Sequence, residues 1–511
     1  MSDNLFEIFR SCFPKDTSQP FIETNDGHVH TYADLVRITT QYHNYLCSSG
    51  VKREDRVAVQ VEKSPEAIFL YLACLRAGAT FLPINTAYTA EEIRFLLSDA
   101  EPTMVVCDPT QEKNISQITQ RHDRCFVKTL DALGSGTLNE ESQCVSIDTR
   151  SADVHGSDTA AILYSSGTTG RPKGVMLSHR NLARNAEALH DAWQFGPDDV
   201  LLHALPIFHT HGLFVAINTV LMNGTGMLFH PAFDPHDVIT DFARATVFMG
   251  VPTYYTRILA EQELTAAACK SMRLFISGSA PLLEQEFNAF RERTGHSIVE
   301  RYGMTEAGII TSADPQKKRR PGTVGWPLPN VDLRITDKSG KVVVPGITGA
   351  IQIKSPGLFS GYWRMPEKMS SEFSVDGYFQ TGDLGKIEPD GMLTIMGRET
   401  DMFISGGYNI YPKEIEVCVD AIDGIIESAV VGMPHPDFGE AGLAIIVVAL
   451  DSTNHKIKII RRLLKDKLAD YKVPKLFLIT DALPRNAMGK VQKKRLRKTY
   501  LSRWTEYLEI V

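Results

Sequence analysis

A run rich in glycine and hydroxyl side chains, residues 164–173, is the stretch whose residue types most clearly predict chemistry. It reads Tyr-Ser-Ser-Gly-Thr-Thr-Gly-Arg-Pro-Lys. Glycines let backbone amides converge on an anion, hydroxyls add short donors, and the two cations offset phosphate charge. It is not a Walker loop, because Gly170 follows Gly167 by three positions and Pro172 precedes Lys173. The run predicts a polyphosphate-binding loop, with an ordinary surface loop as the alternative.

Five further polar or glycine-containing segments follow downstream. One is small and flat, one combines an aromatic ring, a hydroxyl and a carboxylate, and one places a single carboxylate on a tight turn. Loops at the carboxyl ends of strands are where open α/β sheets bind ligands, so we expect these segments to share a site. The segments are 277–281, 301–306, 381–384, 397–412 and 484–490.

Bulk composition limits the class of protein. The 511 residues, 43% hydrophobic and 23% charged with a net charge of −7, predict two to four domains and argue against a nucleic-acid-binding body. No apolar run reaches ~18 residues, so no membrane span is expected. The N-terminus lacks the pattern of a secretory signal, and eight scattered cysteines favour reduced thiols. We expect a cytosolic enzyme, or a mitochondrial matrix enzyme if a transit peptide was removed.

The first part of the chain alternates between helical and strand patterns. A Pro-first, Gly-last helix is followed by a capping box at Thr89, and short apolar runs lie between them. This rhythm predicts a largely parallel sheet covered by helices. The polar segment 111–155 is predicted to be an irregular peripheral connection. The expected helices are 65–75 and 89–99, and the expected strands are 79–84 and 103–107.

The rest of the chain divides into three patterns. A helix capped by Ser178 is followed by strands expected at 201–205, 246–250, 274–276 and 297–299. Short strands and turns fill 323–396, and a small module with a helix from 412, strands at 429–431 and 444–448 and a basic helix at 457–468 follows. The predicted fold class is α/β. It comprises a large N-terminal domain of mostly parallel α/β sheets plus a small β-barrel-like part (1–398), and a small mobile α+β C-terminal domain (399–511).

In this order and at these separations the segments resemble the acyl-adenylate-forming superfamily, which includes acyl-CoA synthetases, beetle luciferases and the adenylation domains of peptide synthetases. The resemblance covers residues 31–496. It implies that a carboxylate attacks the α-phosphate of ATP, that pyrophosphate leaves, and that coenzyme A then takes the acyl group. Because one anion attacks another, cations must be supplied where charge gathers.

The resemblance also implies roles for individual residues. Glu306 and Thr168 would hold Mg²⁺, which prefers a few oxygen ligands plus phosphate. The catalytic residues would be Lys490, Thr305, Glu306 and His209. The adenosine site would comprise Ser279, Ala280, Pro281, Tyr302, Gly303, Asp383 and Arg398. The phosphate loop would comprise Ser165, Ser166, Gly167, Thr168, Thr169, Gly170, Arg171, Pro172 and Lys173.

Each of these assignments has a structural alternative. Asp383 could be a turn residue, and Lys490 could be a solvated lysine of a basic tail. Tyr302 could belong to the core, and Glu306 could be an acid at a helix start. The functional interpretation rests on all the segments occurring together in the family's order.

The resemblance further implies a moving C-terminal domain. After adenylation this domain would rotate, withdraw Lys490 and bring Gly406, Gly407 and Tyr408 to the coenzyme A tunnel. The hinge is expected just after Arg398, at Thr400, where the family commonly has Asp or Lys. A neutral hinge can still rotate, because a hinge needs only to absorb changes in φ and ψ.

Within the superfamily the closest likeness is to malonyl-CoA synthetases, through 205–213, 249–253, 273–283, 300–306 and 361–368. Arg301 lies beside the expected acyl site, where a fatty-acid pocket would not favour an unpaired cation. The distal carboxylate of a dicarboxylate would give it a planar, bidentate partner. Pairing of Arg301 with Glu300 or with another internal acid is the alternative. Arg257 is a second candidate for the substrate carboxylate, and His209 is predicted to line the acyl channel.

These observations predict ATP- and Mg²⁺-dependent ligation of malonate to coenzyme A, with methylmalonate as a further candidate substrate. A medium-chain or aryl acyl-CoA synthetase would keep the ATP residues but needs an apolar pocket. A luciferase-like oxygenase, a carrier-loading adenylation enzyme and a non-catalytic scaffold are less favoured. The expected partners are small molecules rather than nucleic acid, and the chain is expected to be a monomer or a small homo-oligomer.

Overall fold

The computed structural model describes residues 2–120, 125–144, 150–166, 172–449, 456–486 and 489–510. The strands that flank the predicted phosphate loop are described, but the centre of the loop is not. The roles predicted for its central residues therefore stay predictions. The loop residues outside the described part are Gly167, Thr168, Thr169, Gly170, Arg171 and the side chain of Ser166.

The strands form four sheets. In chain order they are β1 Pro20–Thr24, β2 Val29–Thr31, β3 Arg56–Gln60, β4 Thr80–Pro83, β5 Met104–Cys107, β6 Phe126–Thr129, β7 Thr159–Ser166, β8 Pro172–Ser178, β9 Val200–His203, β10 Gly226–Phe229, β11 Val247–Gly250, β12 Leu274–Ser277, β13 Val299–Met304, β14 Gly308–Ser312, β15 Trp326–Pro327, β16 Asp332–Thr336, β17 Gly349–Lys354, β18 Gly361–Tyr362, β19 Phe379–Ile387, β20 Leu393–Arg398, β21 Phe403–Ser405, β22 Tyr408–Ile410, β23 Ile425–His435, β24 Gly439–Val448 and β25 Leu476–Thr480.

The helices cover the sheets. In chain order they are α1 Leu5–Cys12, α2 Tyr32–Ser48, α3 Pro65–Ala77, α4 Ala90–Ala100, α5 Glu112–Thr119, α6 Thr137–Ser142, α7 His179–Trp193, α8 Asn218–Asn223, α9 Pro235–Asp241, α10 Pro252–Ala260, α11 Glu284–Thr294, α12 Met369–Glu372, α13 Pro412–Asp420, α14 Lys456–Lys467, α15 Lys493–Thr499 and α16 Leu501–Ile510, with a π-helical segment at His211–Ile217 and 3₁₀ turns at Pro109–Gln111, Pro366–Lys368, Glu399–Asp401 and Asp470–Lys472.

The predicted helix signals are confirmed. Thr89 and Ser178 form reciprocal capping boxes at the starts of α4 and α7. Pro65 opens α3, and Gly78 ends it with a φ of +67°, in the left-handed region that glycine adopts without a steric penalty. No helix in the described ranges is long and apolar enough to cross a membrane.

Two large sheets dominate the N-terminal part, as the βαβ rhythm predicts. One has the order β15-β14-β13-β12-β11-β9-β10-β1-β2. The neighbouring strands between β13 and β1 in this order are parallel to one another, and the strands at the two edges of the sheet are antiparallel. The other has the order β18-β8-β7-β4-β3-β5-β6. Helix α3 is almost entirely buried, in a core cluster that contains residues of both sheets. The two sheets therefore share one hydrophobic core.

The prediction of an irregular connection at 111–155 is wrong in part. Helix α5, strand β6 and helix α6 lie within it, and β6 pairs in parallel with β5 as the edge of a large sheet. Apolar residues hidden among polar ones explain the difference. Ile115 and Leu130 are fully buried, so short amphipathic elements pack onto the sheet even though the segment's mean composition is polar.

The remaining sheets follow the predicted change of pattern. Strands β16, β17, β19 and β20 form an antiparallel four-stranded sheet, which is the small β-rich part. The last part of the chain forms a five-stranded sheet with the order β22-β21-β24-β23, in which β25 also pairs with β24. With α13 to α16 this sheet forms the small α+β C-terminal domain, and it has hydrophobic clusters of its own.

Candidate active site

Arg301 and Tyr302 lie on a strand, not in the predicted loop. Strand β13 continues through Met304 and pairs with β14, and the turn between these strands carries Thr305 and Glu306. The sequence pattern missed this extension because the strand changes partners: it is parallel to β12 at its start and antiparallel to β14 at its end. Placement on a strand fixes these side chains more firmly than a loop would.

Arg301 is a buried cation with no counter-charge among the described residues. The side chain is 6% exposed, Nη2 donates to Ser279 Oγ at 3.4 Å, and Nε has no hydrogen-bond partner among the described residues. Burial lowers the pKa of its guanidinium, and no carboxylate in the described part of the chain offsets that burial. The guanidinium lies against Gly278, where an added Cβ would come within 2.4 Å of Nε. Gly278 is therefore a residue whose role sequence reasoning missed.

Two histidines line the same region. His211 is buried, and its Nδ1 lies 3.3 Å from Ser279 Oγ. Burial, reinforced by the charge of Arg301, holds the pKa of His211 well below its ordinary value. Burial and the charge of Lys490 lower the pKa of His209 to about 4. Both histidines are therefore neutral near pH 7 and add no charge that could neutralise or repel an anionic substrate.

Ser279 is held in a strained conformation at this position. Its φ is +71°, in the left-handed region that costs a non-glycine residue about 1 kcal/mol or more. Its hydroxyl lies between His211 and Arg301. Ala280 is half-buried and Pro281 is exposed, so the 279–281 segment remains accessible to a ligand.

Asp383 connects Tyr302 and Arg398. The Tyr302 hydroxyl donates to Asp383 Oδ2, and Arg398 Nε lies 2.8 Å from Asp383 Oδ1. Asp383 lies inside strand β19 with Arg398 as its cross-strand partner, so the prediction of a tight turn is wrong. The strand was missed because Gly382, with a φ of +70°, interrupts the pattern. Burial raises the pKa of Asp383, although Arg398 and Tyr302 both favour its charged form.

Tyr362 contacts both Glu306 and Lys173. The Tyr362 hydroxyl donates to Glu306 Oε1 at 3.3 Å, and Lys173 Nζ lies 4.7 Å above the Tyr362 ring. Burial raises the pKa of Glu306, and strand β14 follows it, so it is not a helix-start acid. Lys173 also pairs with Glu372 at 3.4 Å. Sequence reasoning assigned no role to Tyr362 or Glu372, although Tyr362 lies in the 361–368 stretch that carries the family likeness.

Lys490 enters the cleft from the C-terminal domain. Its backbone N–H donates to Asn486 Oδ1 at 2.9 Å. Gly489 lies against Thr253 of the large domain, where an added Cβ would be 3.5 Å from the Thr253 side chain. The loop that carries Lys490 is thus docked at the start of helix α10.

The amine of Lys490 faces the charged residues of the large domain. Desolvation is the main cause that lowers its pKa, although the residue as a whole is exposed. This environment differs from that of a lysine in bulk solvent. The charges that act on it belong to Arg398, Asp383, Arg301 and Glu306.

The other predicted residues lie elsewhere. Gly406 and Gly407 form the exposed turn between β21 and β22, and Tyr408 stacks on Tyr471 with ring centroids 4.4 Å apart. Thr400 is exposed in the 3₁₀ turn after β20. The structure does not bring Arg257 to Arg301: its exposed guanidinium lies 5.0 Å above the Phe233 ring.

Glu300 does not neutralise Arg301. Adjacent residues of a strand point to opposite faces, and the Glu300 carboxylate instead meets the backbone N–H groups of Gly322 and Leu282. The alternative in which the two side chains pair is therefore excluded. Burial raises the pKa of Glu300 to about 8.

Family models match most of the chain. A model described as AMP-binding enzyme matches residues 11–363, and one described as AMP-binding enzyme C-terminal domain matches residues 414–490. The second match falls within the small domain that carries Lys490.

Individual relatives cover almost the whole length. A malonate–CoA ligase from Arabidopsis thaliana is 30% identical over 552 residues, covering 98% of this chain and 89% of that protein. A feruloyl-CoA synthase from Amycolatopsis sp is 33% identical over 482 residues, covering 93% and 94%. The crystal structure of ATP-bound MatB from Rhodopseudomonas palustris is 48% identical with a TM-score of 0.95, covering 98% of this chain and 99% of that one.

The raised pKa of Glu300 predicts a pH dependence of stability. The folded protein binds more protons here than the unfolded chain between the ordinary pKa of 4.5 and about 8. Stability therefore falls as pH rises through this window, and Glu300→Gln should remove that part of the fall. We expect the melting temperature of the variant, relative to the wild type, to be higher at about pH 8 than at about pH 5. If the difference in melting temperature between Glu300→Gln and the wild type were the same at both pH values, the raised pKa of Glu300 would be contradicted.

Proposed function

Because the chain belongs to the AMP-binding enzyme family and is an AMP-forming acyl-CoA ligase, we propose that it ligates malonate to coenzyme A, with methylmalonate as a second substrate. The observation that carries the proposal is the buried, unpaired guanidinium of Arg301 beside the cleft. An apolar acyl group would leave that cation desolvated and uncompensated. The distal carboxylate of a dicarboxylic acid would give it a bidentate partner.

In the first step an oxygen of the substrate carboxylate attacks the α-phosphorus of ATP. The bond to the bridging oxygen of pyrophosphate breaks, giving malonyl-AMP and pyrophosphate. We assign Lys490 to the attacking carboxylate and the bridging oxygen, because two anions must otherwise approach each other against Coulomb repulsion. Lys173 is assigned to the β- and γ-phosphates, together with the loop that β7 and β8 bring together.

The nucleoside would lie beside the acyl site. We assign the ribose hydroxyls to Asp383, whose carboxylate oxygens keep free lone pairs after the contacts with Tyr302 and Arg398. The Tyr302 ring and the flat 279–281 segment would hold adenine. Thr305 would contact the α-phosphate from the turn after β13.

Mg²⁺ fits the donor set that the structure describes. No group of three metal-ligating side chains occurs in the described ranges. Mg²⁺ commonly takes one or two carboxylates and completes its shell with phosphate and water. The buried carboxylate of Glu306, with the Tyr362 hydroxyl as its side-chain donor, supplies such a ligand, and Thr168 is the proposed second one. The bound ion would neutralise phosphate charge during adenylation.

In the second step the sulfur of coenzyme A attacks the acyl carbon and AMP leaves. We propose that residues 399–511 rotate as a unit about a hinge at Thr400 between the two steps. Lys490 would leave the cleft, and the Gly406–Gly407 turn with Tyr408 would replace it beside the pantetheine arm. The exposure of this turn while Lys490 is docked agrees with such an exchange.

A second candidate is an aryl acyl-CoA synthetase with the same two steps. The 33% identity to a feruloyl-CoA synthase supports it, since the ATP site would be common to both activities. Arg301 decides between the two, because an aryl acid offers no second carboxylate to the buried guanidinium.

A panel of acids tests the substrate. With ATP, Mg²⁺ and coenzyme A, AMP release should be strong with malonate and weak with octanoate, benzoate and ferulate. Arg301→Leu should reduce kcat/KM for malonate by about 100-fold or more, since a charge-assisted bidentate contact is lost. If the enzyme turned over ferulate or octanoate but not malonate, malonate would be rejected as the substrate, whereas the assignment of an adenylation step would stand.

The place of Arg301 against Gly278 predicts a second effect. Gly278→Ala should displace the guanidinium and raise the KM for malonate by about tenfold, because a Cβ would lie 2.4 Å from Nε. Gly196→Ala is the matched control, since no heavy atom lies within 4 Å of its added Cβ. Steady-state kinetics of both variants measure this difference, and equal kinetics would remove Gly278 from the acyl site.

Lys490→Ala should separate the two steps. Loss of the cation should abolish malonate-dependent pyrophosphate exchange into ATP, while the variant still makes thioester from supplied malonyl-AMP. The reason is that Lys490 would act only when anions meet in the cleft. Equal loss of both half-reactions would argue against a C-terminal domain that presents a different face to the cleft in each step.

A further inference from the structure

Arg485 holds the loop that carries Lys490. It precedes Lys490 by five positions, and its guanidinium makes two contacts at once. Nη1 donates to the carbonyl of Gly489, and Nη2 pairs with the carboxylate of Glu427. The two contacts use separate arms of the planar fork, which a lysine cannot reproduce.

The loop geometry explains why the Gly489 carbonyl matters. Gly489 N–H donates to Asn486 O at 2.9 Å, and Gly489 has a φ of +73°. Asn486 also accepts from the Lys490 N–H through its side chain. Arg485 and Val491 form an antiparallel bridge that closes the loop. The peptide between Gly489 and Lys490 is therefore held from both sides, and its orientation sets the direction of the lysine side chain.

Glu427 ties this arrangement to the boundary between the domains. It lies on β23 next to Ile426, whose carbonyl accepts from Gln285 Nε2 of the large domain at 3.2 Å. The charges of Glu427 and Arg485 both act on Glu286, the next residue of α11, which is half-buried at the same boundary. The Arg485–Glu427 pair thus lies where the small domain docks.

Resting on the two-step reaction proposed above, we propose that Arg485 is a positioning residue for adenylation. It orients the Gly489 carbonyl so that Lys490 projects into the cleft, and Glu427 fixes Arg485 in that geometry. Arg485 touches neither substrate nor nucleotide in this scheme. Its contribution belongs to the docked orientation and is not needed once Lys490 has withdrawn.

The kinetic test compares half-reactions. Arg485→Ala and Glu427→Gln should each lower pyrophosphate exchange by about tenfold or more, and thioester formation from supplied malonyl-AMP should stay within about twofold. Arg485→Lys should recover little of the exchange, because one ammonium cannot hold both partners. The matched control is Arg497→Ala, which breaks the Arg497–Glu440 pair of the same domain at 2.9 Å and should leave both half-reactions unchanged.

A double-mutant cycle tests the link between the two residues. If Glu427 acts through Arg485, the double variant should be no more than about twofold worse than Arg485→Ala alone. If the loss in the double variant equalled the product of the losses in the two single variants, that link would be contradicted. Equal loss of both half-reactions in Arg485→Ala would overturn the positioning role and indicate a general structural one.

A second measurement needs no acid substrate and so separates this inference from the proposed function. Acetic anhydride labels unprotonated lysines, and mass spectrometry across a pH series gives the labelling midpoint of Lys490. In the wild type the midpoint should lie below that of ordinary lysines, because the cleft lowers the pKa of this amine. In Arg485→Ala it should rise toward the ordinary value, and in Arg497→Ala it should not. An unmoved midpoint in Arg485→Ala would overturn the proposal even if malonate proved to be the wrong acid.

Discussion

The desolvation of two cations, Arg301 and Lys490, is the constraint on which the candidate active site depends. Desolvation is the first cause that lowers the pKa of each group, and repulsion by Arg301 is a further cause that lowers the pKa of Lys490. In the part of the chain that the structure describes, no carboxylate relieves this cost at Arg301. Arg301 is placed by strand β13, and Lys490 by the contacts of Arg485, Asn486 and Gly489. A site that keeps uncompensated positive charge is preorganised for anions.

The two cations lie on different domains, so the repulsion of Lys490 by Arg301 would act between the domains. Arg301 is fixed within the nine-stranded sheet, whereas Lys490 is carried by the C-terminal domain, whose contacts with the large domain include the bond from Gln285 Nε2 to the Ile426 carbonyl. In the proposed reaction bound anions would offset the repulsion, and departure of pyrophosphate would restore part of it. The balance of charge in the cleft would then favour withdrawal of Lys490 after adenylation. A permanent internal acid beside Arg301 would make the position of Lys490 depend less on the bound anions.

Much of the fold followed from local signals, while the site depended on contacts that no local pattern contains. Thr89, Ser178 and Gly78 predicted helix ends because caps act within a few residues. By contrast, Tyr302 and Asp383 are 81 positions apart and meet through a hydroxyl and a carboxylate. The segments predicted as loops at 301–306 and 381–384 proved to be largely strands. Strand partners from distant parts of the chain imposed that conformation, and composition alone does not reveal such partners.

The proposed choice of substrate rests on the register of one strand. Glu300 and Arg301 are neighbours of opposite charge on opposite faces of β13, so a slip by one residue would place a carboxylate in the proposed acyl site. Pairing of Arg301 with Ser312 fixes the register, and an irregularity between Tyr302 and Gly303 shifts the ladder immediately afterwards. Such irregularities change the direction of side chains near active sites. Here the irregularity begins only after Tyr302, so Arg301 and Tyr302 keep the ordinary alternation of a strand, and β13 can present Arg301 to the proposed acyl site and Tyr302 to Asp383.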